Sequence, residues 1–370
     1  MAAQRFGRLG RLAALCAASL ALLVLGLLTR GIGSHATPFR PPPASFSLLA
    51  LGDTGQPVGW FPWLAGQGAV ASALEYEDRR ARSDGLLLLG DNFYEKGLEQ
   101  KDLVARVRGN LVTPYCHFVE LTGARSAEVS AGCQPDRATP APIYAVLGNH
   151  DLETAESREM QIREVPRFVS NWRMPEERVA LLEIAEGVSL ILFDSTWLRE
   201  SGDSRPLREA LAAARGPWRI LAAHHPLGTS RDEGYKKSAG VGAYGALVEQ
   251  AIRAAGAPVQ LMLAGHEHNL QLLERPEPGP RLVAISGGGS SPARIKSQSR
   301  GRLFSYEGLG FVRIDRLGRN DRERLMVTLF AAPRWRSLLR TGPEVLARWS
   351  VTVDGDLLTE PHSVRLLEES

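Results

Sequence analysis

Residues 46–55 read Phe-Ser-Leu-Leu-Ala-Leu-Gly-Asp-Thr-Gly, an apolar run that stops at a glycine and a carboxylate. A short leucine-rich run ending this way predicts a strand buried on both faces that delivers a polar tip. The pattern recurs along the chain. Leu86–Leu89 ends in Gly90-Asp91, and Ile143–Leu147 in Gly148-Asn149-His150-Asp151. Val188–Phe193 ends in Asp194, Ile220–Ala223 in His224-His225, and Gln260–Ala264 in Gly265-His266. Helical stretches over Val70–Arg82, Lys101–Leu111, Leu207–Arg215 and Tyr244–Ala255 separate several of these runs. Arg281–Ile285, Phe311–Asp315 and Leu325–Ala331 predict further strands. Strand, polar tip and helix in repeated order predict a layered α/β domain over residues 46–331. Ligands of such sheets bind beyond the carboxyl ends of the strands, so the tips are expected to converge on one edge.

The converging side chains are metal donors. Asp53, Asp91, Asn149, His224, His266 and His268 offer oxygen and nitrogen but no sulfur. That mixture suits iron, zinc or manganese and disfavours iron–sulfur clusters and copper(I). It also exceeds the needs of one zinc site, so two ions sharing a carboxylate are expected. Two ions roughly 3.5–4 Å apart suit phosphoryl transfer: one lowers the pKa of a bound water, and both offset charge on the phosphoryl oxygens.

Five motifs carry a resemblance: Gly52-Asp53-Thr54-Gly55, Gly90-Asp91-Asn92-Phe93-Tyr94, Gly148-Asn149-His150-Asp151, Ala223-His224-His225-Pro226 and Gly265-His266-Glu267-His268. In this order they resemble those of calcineurin-like metallophosphoesterases, and most of all the compact, tartrate-resistant type of purple acid phosphatase. The resemblance implies an αββα sandwich with the dimetal site at strand carboxyl ends. Gly55 stands where much of that superfamily has a histidine, and Tyr94 follows Asp91 by three residues. By resemblance Tyr94 is a phenolate ligand, whose hard anionic oxygen favours Fe(III). The implied ferric ion takes Asp53, Asp91, Tyr94 and His268. The second ion, Fe(II), Zn or Mn, takes Asp91 as a bridge with Asn149, His224 and His266. His150 is implied in leaving-group protonation or phosphate binding, with Asp151 placed to orient it. His225, beside Pro226, reads either as a residue supporting the ligands or as a merely exposed one, the latter being preferred, and Asp194 reads as structural.

Some features depart from the compact pattern. Glu233 stands where some relatives have a substrate-pocket histidine, and Thr113–Pro142 is expanded. Ser286–Pro292, rich in glycine, reads as a turn.

Outside this region the chain carries an address. Arg5, Arg8 and Arg11 precede Leu12–Leu28, an uncharged apolar run that reads as a cleaved signal peptide or an uncleaved membrane anchor. Both place the body outside the cytoplasm, periplasmic or secreted. Residues 37–45, with Pro38, Pro41, Pro42 and Pro43, form a stiff spacer. Cys116 and Cys133 predict a disulfide in that compartment. Residues 332–370 show no readable role.

Composition removes other classes. Apolar residues make up 44% and charged ones 23%, the balance of a soluble globular domain rather than of a disordered chain or a multi-pass membrane protein. Without residues 1–36 the chain holds 40 basic and 41 acidic residues, which excludes nucleic acid as an electrostatic partner. The expected function is an exported, acid phosphatase-like phosphomonoesterase acting on a phosphate ester. A phosphodiesterase on the same metals and a metal-retaining regulatory protein with little turnover are the alternatives.

Overall fold

The computed structural model describes residues 43–56, 65–228, 241–296, 300–318, 323–339 and 341–360. The expected export segment, residues 37–42 of the spacer, and Glu233 lie outside them. No helix among the described residues is long and apolar enough to cross a membrane.

The strands are, in chain order, β1 (Ala44–Leu51), β2 (Gly85–Leu88), β3 (Ile143–Ala145), β4 (Trp172–Arg173), β5 (Val179–Ala185), β6 (Val188–Phe193), β7 (Trp218–Ala222) and β8 (Leu261–Ala264). They continue as β9 (Leu270–Glu274), β10 (Leu282–Ser286), β11 (Arg302–Tyr306), β12 (Gly310–Leu317), β13 (Arg324–Ala331), β14 (Glu344–Thr352) and β15 (Leu357–Thr359). One sheet runs β15-β14-β13-β12-β1-β2-β3-β4 and the other β11-β9-β10-β8-β7-β6-β5. β1 to β4 are parallel, as are β6, β7, β8 and β10. Of these, β1, β2, β3, β6, β7 and β8 end in the sequence-predicted tips, whereas β4, which the sequence reading did not include, and β10 do not.

Alternation along each strand builds the layers. From β1, Phe46, Leu48 and Ala50 face the second sheet, where they meet β6 and β7 residues such as Leu190, Leu192, Trp218 and Ile220 in one apolar core. Ile191, Phe193, Leu221 and Ala223 point the other way, packing under Leu207, Leu211, Tyr244 and Val248 of the helices Arg205–Ala213 and Val241–Ala255. Burial on both faces is why these strands read as unbroken apolar runs. The helix Gly66–Arg80 packs on the outside of the first sheet, burying Val70 and Leu74. The result is the αββα sandwich expected from the sequence.

Residues 344–359 complete the first sheet. β14 pairs with β13 from Arg324↔Thr352 to Ala331↔Glu344, and β15 closes the edge. The Cys116–Cys133 disulfide is formed, its two positions 17 apart in sequence.

Candidate metal centre

The ends of β1, β2 and β3 and the turns after β7 and β8 bring all seven sequence-predicted metal donors together in two groups. In the first, the Tyr94 hydroxyl lies 3.1 Å from Asp53 Oδ1, 2.8 Å from Asp91 Oδ2 and 2.9 Å from His268 Nε2. In the second, Asn149 Oδ1 lies 3.0 Å from His224 Nε2 and 3.1 Å from His266 Nδ1. Asp91 Oδ2 is also 3.4 Å from His224 Nε2, so one carboxylate oxygen reaches both groups. Asp53, Asp91 and His224 are buried at the floor, whereas the His150 and His268 side chains are partly open.

Each carboxylate is divided between scaffold and centre. Asp53 Oδ2 accepts the His266 amide at 2.7 Å, and Asp91 Oδ1 accepts the His150 amide at 2.9 Å. The remaining oxygens face the centre. Local backbone makes this possible at a cost. Asp53, Asp91, His266 and His268 have φ of 59°, 53°, 72° and 51°, and among the described residues they are the non-glycine residues with positive φ. Each such conformation costs on the order of 1–3 kcal/mol. A fully buried leucine contributes a comparable ~1.5–3 kcal/mol, and Leu49, Leu51, Leu87 and Leu89 stand directly behind the two aspartates. The core can therefore hold the tips in this form.

Second contacts aim the rings. The Nδ1–H of His224 donates to the Leu89 carbonyl at 2.9 Å, and that of His268 to the Ser291 carbonyl at 3.0 Å. Each Nε2 then turns toward the centre. His224 Nε2 faces Asn149 Oδ1 and Asp91 Oδ2, so acceptors meet acceptors. Such a set repels itself unless a cation or added protons lie among its atoms. The donors thus fit a pair of metal ions chemically. Burial, then Asp53 and Asp91, push the Tyr94 phenol far above its ordinary range, so ionising it calls for a strong cation alongside. Burial lowers the His268 pKa, but Asp53 and Asp91 outweigh it and the net shift is upward.

Gly55 and Tyr94 are linked by space. A Cβ at Gly55 would overlap the backbone from Asn92 to Tyr94. The Gly55 amide donates to the Asp91 carbonyl at 3.0 Å, and the Tyr94 amide to the Gly55 carbonyl at 3.0 Å. A side chain at position 55 and this placement of Tyr94 exclude one another. The absent histidine and the present tyrosine are two sides of one local packing arrangement.

Two expectations change. Asp151 does not hold the His150 ring. Its buried carboxylate accepts the amides of Asn92, Phe93 and Gly148 at 2.9–3.1 Å, and Gln161 Nε2 at 3.0 Å. It therefore ties together the loops carrying Asp91 and Asn149. His150 Nδ1 instead donates to the Glu95 carbonyl at 2.8 Å and pairs with Glu153 at 3.0 Å. Burial and then the neighbouring Asp91 raise the Asp151 pKa. His225 is also no bystander: it is buried, with its ring 4.6 Å from that of His266 between centroids.

Other placements follow the sequence reading. Asp194 is structural, capping Ser195–Ser201 by accepting the Trp197 amide at 2.9 Å. The Ser286–Pro292 turn supplies the Ser291 carbonyl to His268, while its Gly287 amide donates to Asn269 rather than toward a ligand. Asn92 and Gln161, missed as functional from sequence, pack around Asp151; Asn92 sits inside a quoted motif, and nothing marks Gln161.

The model of the calcineurin-like phosphoesterase family matches residues 46–270. Among solved structures, GAP50, the anchor in the inner membrane complex of Plasmodium, is similar at a TM-score of 0.60 and 14% identity, over 88% of this chain and 92% of that one. Purple acid phosphatase PPD1 from yellow lupin (Lupinus luteus) seeds is similar at a TM-score of 0.51 and 16% identity, over 80% of this chain and 53% of that one. At these identities the likeness concerns the fold alone. No curated protein matches the sequence.

Proposed function

The chain belongs to the calcineurin-like phosphoesterase family, and on that premise we propose that it is an exported phosphatase that hydrolyses phosphate monoesters at a dimetal centre. The observation that carries this reading is the sharing of Asp91 Oδ2 between the Tyr94 group and the His224 group. In the proposal Asp53, Asp91, Tyr94 and His268 hold a ferric ion, and Asp91, Asn149, His224 and His266 hold Fe(II), Zn or Mn. When bound, the ions act as Lewis acids that activate water and offset charge on the phosphoryl oxygens.

The protein's own part is positioning and proton supply. Donation from Nδ1 to the Glu95 carbonyl fixes the His150 tautomer and leaves Nε2 to serve the substrate. As an imidazolium protonated from solvent and held beside Glu153, His150 gives its Nε2 proton to the leaving oxygen of the ester and is left as the neutral Nδ1–H tautomer. Asp151 keeps the two loops in register and so holds His150 beside Asn149 through the backbone. Export is part of the reading. It rests on the arginine-led apolar run Leu12–Leu28, as signal or membrane tether, and on the disulfide, which suits an oxidising compartment.

The test combines metal analysis of purified protein with turnover of matched aryl monoesters and diesters. Two metal equivalents and preference for monoesters are expected, and preference for diesters would replace the substrate class. His150→Ala should keep both metals and lose about 10²–10⁴-fold in turnover of esters with poor leaving groups. Loss of metal from that variant would instead give His150 a structural role.

A further inference from the structure

Beside the proposed ligands stands a buried imidazole that none of the roles above uses. His225 follows His224 at the end of β7, with its ring against His266 (centroids 4.6 Å, interplanar angle 45°) and edge-on to His224 (5.0 Å, 80°). One ring nitrogen of each of these three histidines lies within 4.8 Å of the others.

Separate elements fix this ring. Ser195, fully buried at the start of the helix Ser195–Ser201, places its Oγ 3.0 Å from the His225 amide and 2.9 Å from His225 Nδ1. The amide can only donate, so the hydroxyl accepts from it. The same oxygen bonds Nδ1, so one hydroxyl holds both the backbone and the ring of His225. From the helix Val241–Ala255, the Tyr244 hydroxyl donates to the His225 carbonyl at 2.9 Å. Behind Ser195, Asp194 caps the helix and pairs with Arg178 at 2.5 Å, anchoring the serine to the end of β6. Plain packing would be met by an apolar ring, since burying a polar one is costly without hydrogen bonds.

His266 gives the brace its purpose. Its φ of 72° places its side chain on a strained backbone, and its Nδ1 must face Asn149 Oδ1 and His224 Nε2 at 3.1 and 3.2 Å. A locked ring packed on it restricts the plane it can adopt. We infer that the Ser195–His225 pair is a positioning device that sets the His266 ring and thereby the metal affinity of the Asn149–His224–His266 position. The inference rests on the dimetal reading above. It concerns one of the two positions and leaves the Asp53–Tyr94–His268 position alone.

Metal-stripped protein titrated with Zn(II) in a calorimeter tests it. Wild type should take two equivalents. Ser195→Ala should bind one of them with unchanged affinity and the other about 10-fold more weakly, the low end of the loss on removing a direct partner of a metal-bound histidine, because Ser195 acts one contact further out through His225. His225→Phe, which keeps a ring but loses Nδ1, should do the same. The double variant should be no weaker than either single one, because both remove one interaction. Two Zn(II) equivalents at wild-type affinity in both single variants would overturn the inference, whatever happens to their melting temperatures. So would equal weakening of both equivalents. If wild type takes fewer than two metal equivalents both with Zn(II) alone and with Fe(III) and Zn(II) supplied together, the dimetal reading falls and the inference with it.

Discussion

Asp151→Asn separates two roles for the Asp151 carboxylate, support of the loops and orientation of His150. In the structure Oδ1 receives the Phe93 amide at 3.1 Å and Gln161 Nε2 at 3.0 Å, while Oδ2 receives the Gly148 amide at 2.9 Å and Asn92 Nδ2 at 3.3 Å. The Asn92 amide reaches both oxygens at 3.0 Å. An asparagine can keep the Oδ1 side, but its amide group must then face the Gly148 N–H. A buried donor deprived of its acceptor costs about 1–3 kcal/mol. Asn92 Nδ2 loses less, because the Val146 carbonyl at 2.9 Å and Gln161 Oε1 at 3.1 Å remain to it. Removing a charge beside Asp91 offsets part of the loss. The net expectation is roughly 2–3 kcal/mol, a fall in melting temperature on the order of 3–5 °C for a domain of this size.

The same change loosens the turn that carries Asn149, so metal should dissociate faster from the variant. Calorimetric melting with and without metal, metal stoichiometry, and rates for aryl phosphates of graded leaving-group pKa would together measure this. Loop support predicts lower stability in both metal states and an unchanged leaving-group slope. A melting temperature within 1–2 °C of wild type, combined with a steeper leaving-group slope, would refute it and return Asp151 to the role of orienting His150.

Two further outcomes are expected. Tyr94→Phe should abolish the visible ligand-to-metal band of the ferric protein while preserving most ring packing, and a band that survives would show that Tyr94 is not the chromophore. His117 bridges Asp136 at 2.7 Å and buried Asp78 at 2.9 Å through its two nitrogens, with Arg79 and Arg137 near the same carboxylates. Burial lowers its pKa, but the two aspartates outweigh this and raise it, while Asp78 is held down to about 2. The ion pair should therefore stabilise fully between roughly pH 4 and 6.5 and weaken as pH rises through the folded His117 pKa, or falls toward the folded Asp78 value. His117→Gln should cost roughly 2–3 kcal/mol near pH 6 and less at pH 8, and a pH-independent penalty in melting experiments would refute this.

The centre was legible in the sequence wherever a residue acts through its own side chain at a strand tip. Gly-Asp and Gly-Asn-His motifs stand out because buried parallel strands must be apolar on both faces, so each polar tip breaks the pattern sharply. Supporting contacts leave no such mark. Leu89 and Ser291 serve through carbonyls, which every residue possesses, and Asp151 gathers donors from positions 92, 93, 148 and 161. β14 was illegible for a different reason. Ala347, Trp349 and Val351 enter the core between the sheets, but Arg348 and Ser350 between them are buried too, on the face beneath the helix Gly66–Arg80. That layer holds Glu77, Arg313 and Asp315, with Arg313 Nε 2.8 Å from Asp315 Oδ1. A strand buried against charges alternates apolar and polar residues, and in sequence it resembles one facing water. Gly55 combines both lessons. The sequence shows a glycine where a histidine is common and a tyrosine further on, but only the backbone from Asn92 to Tyr94, packed where a Cβ would stand, explains why the two go together.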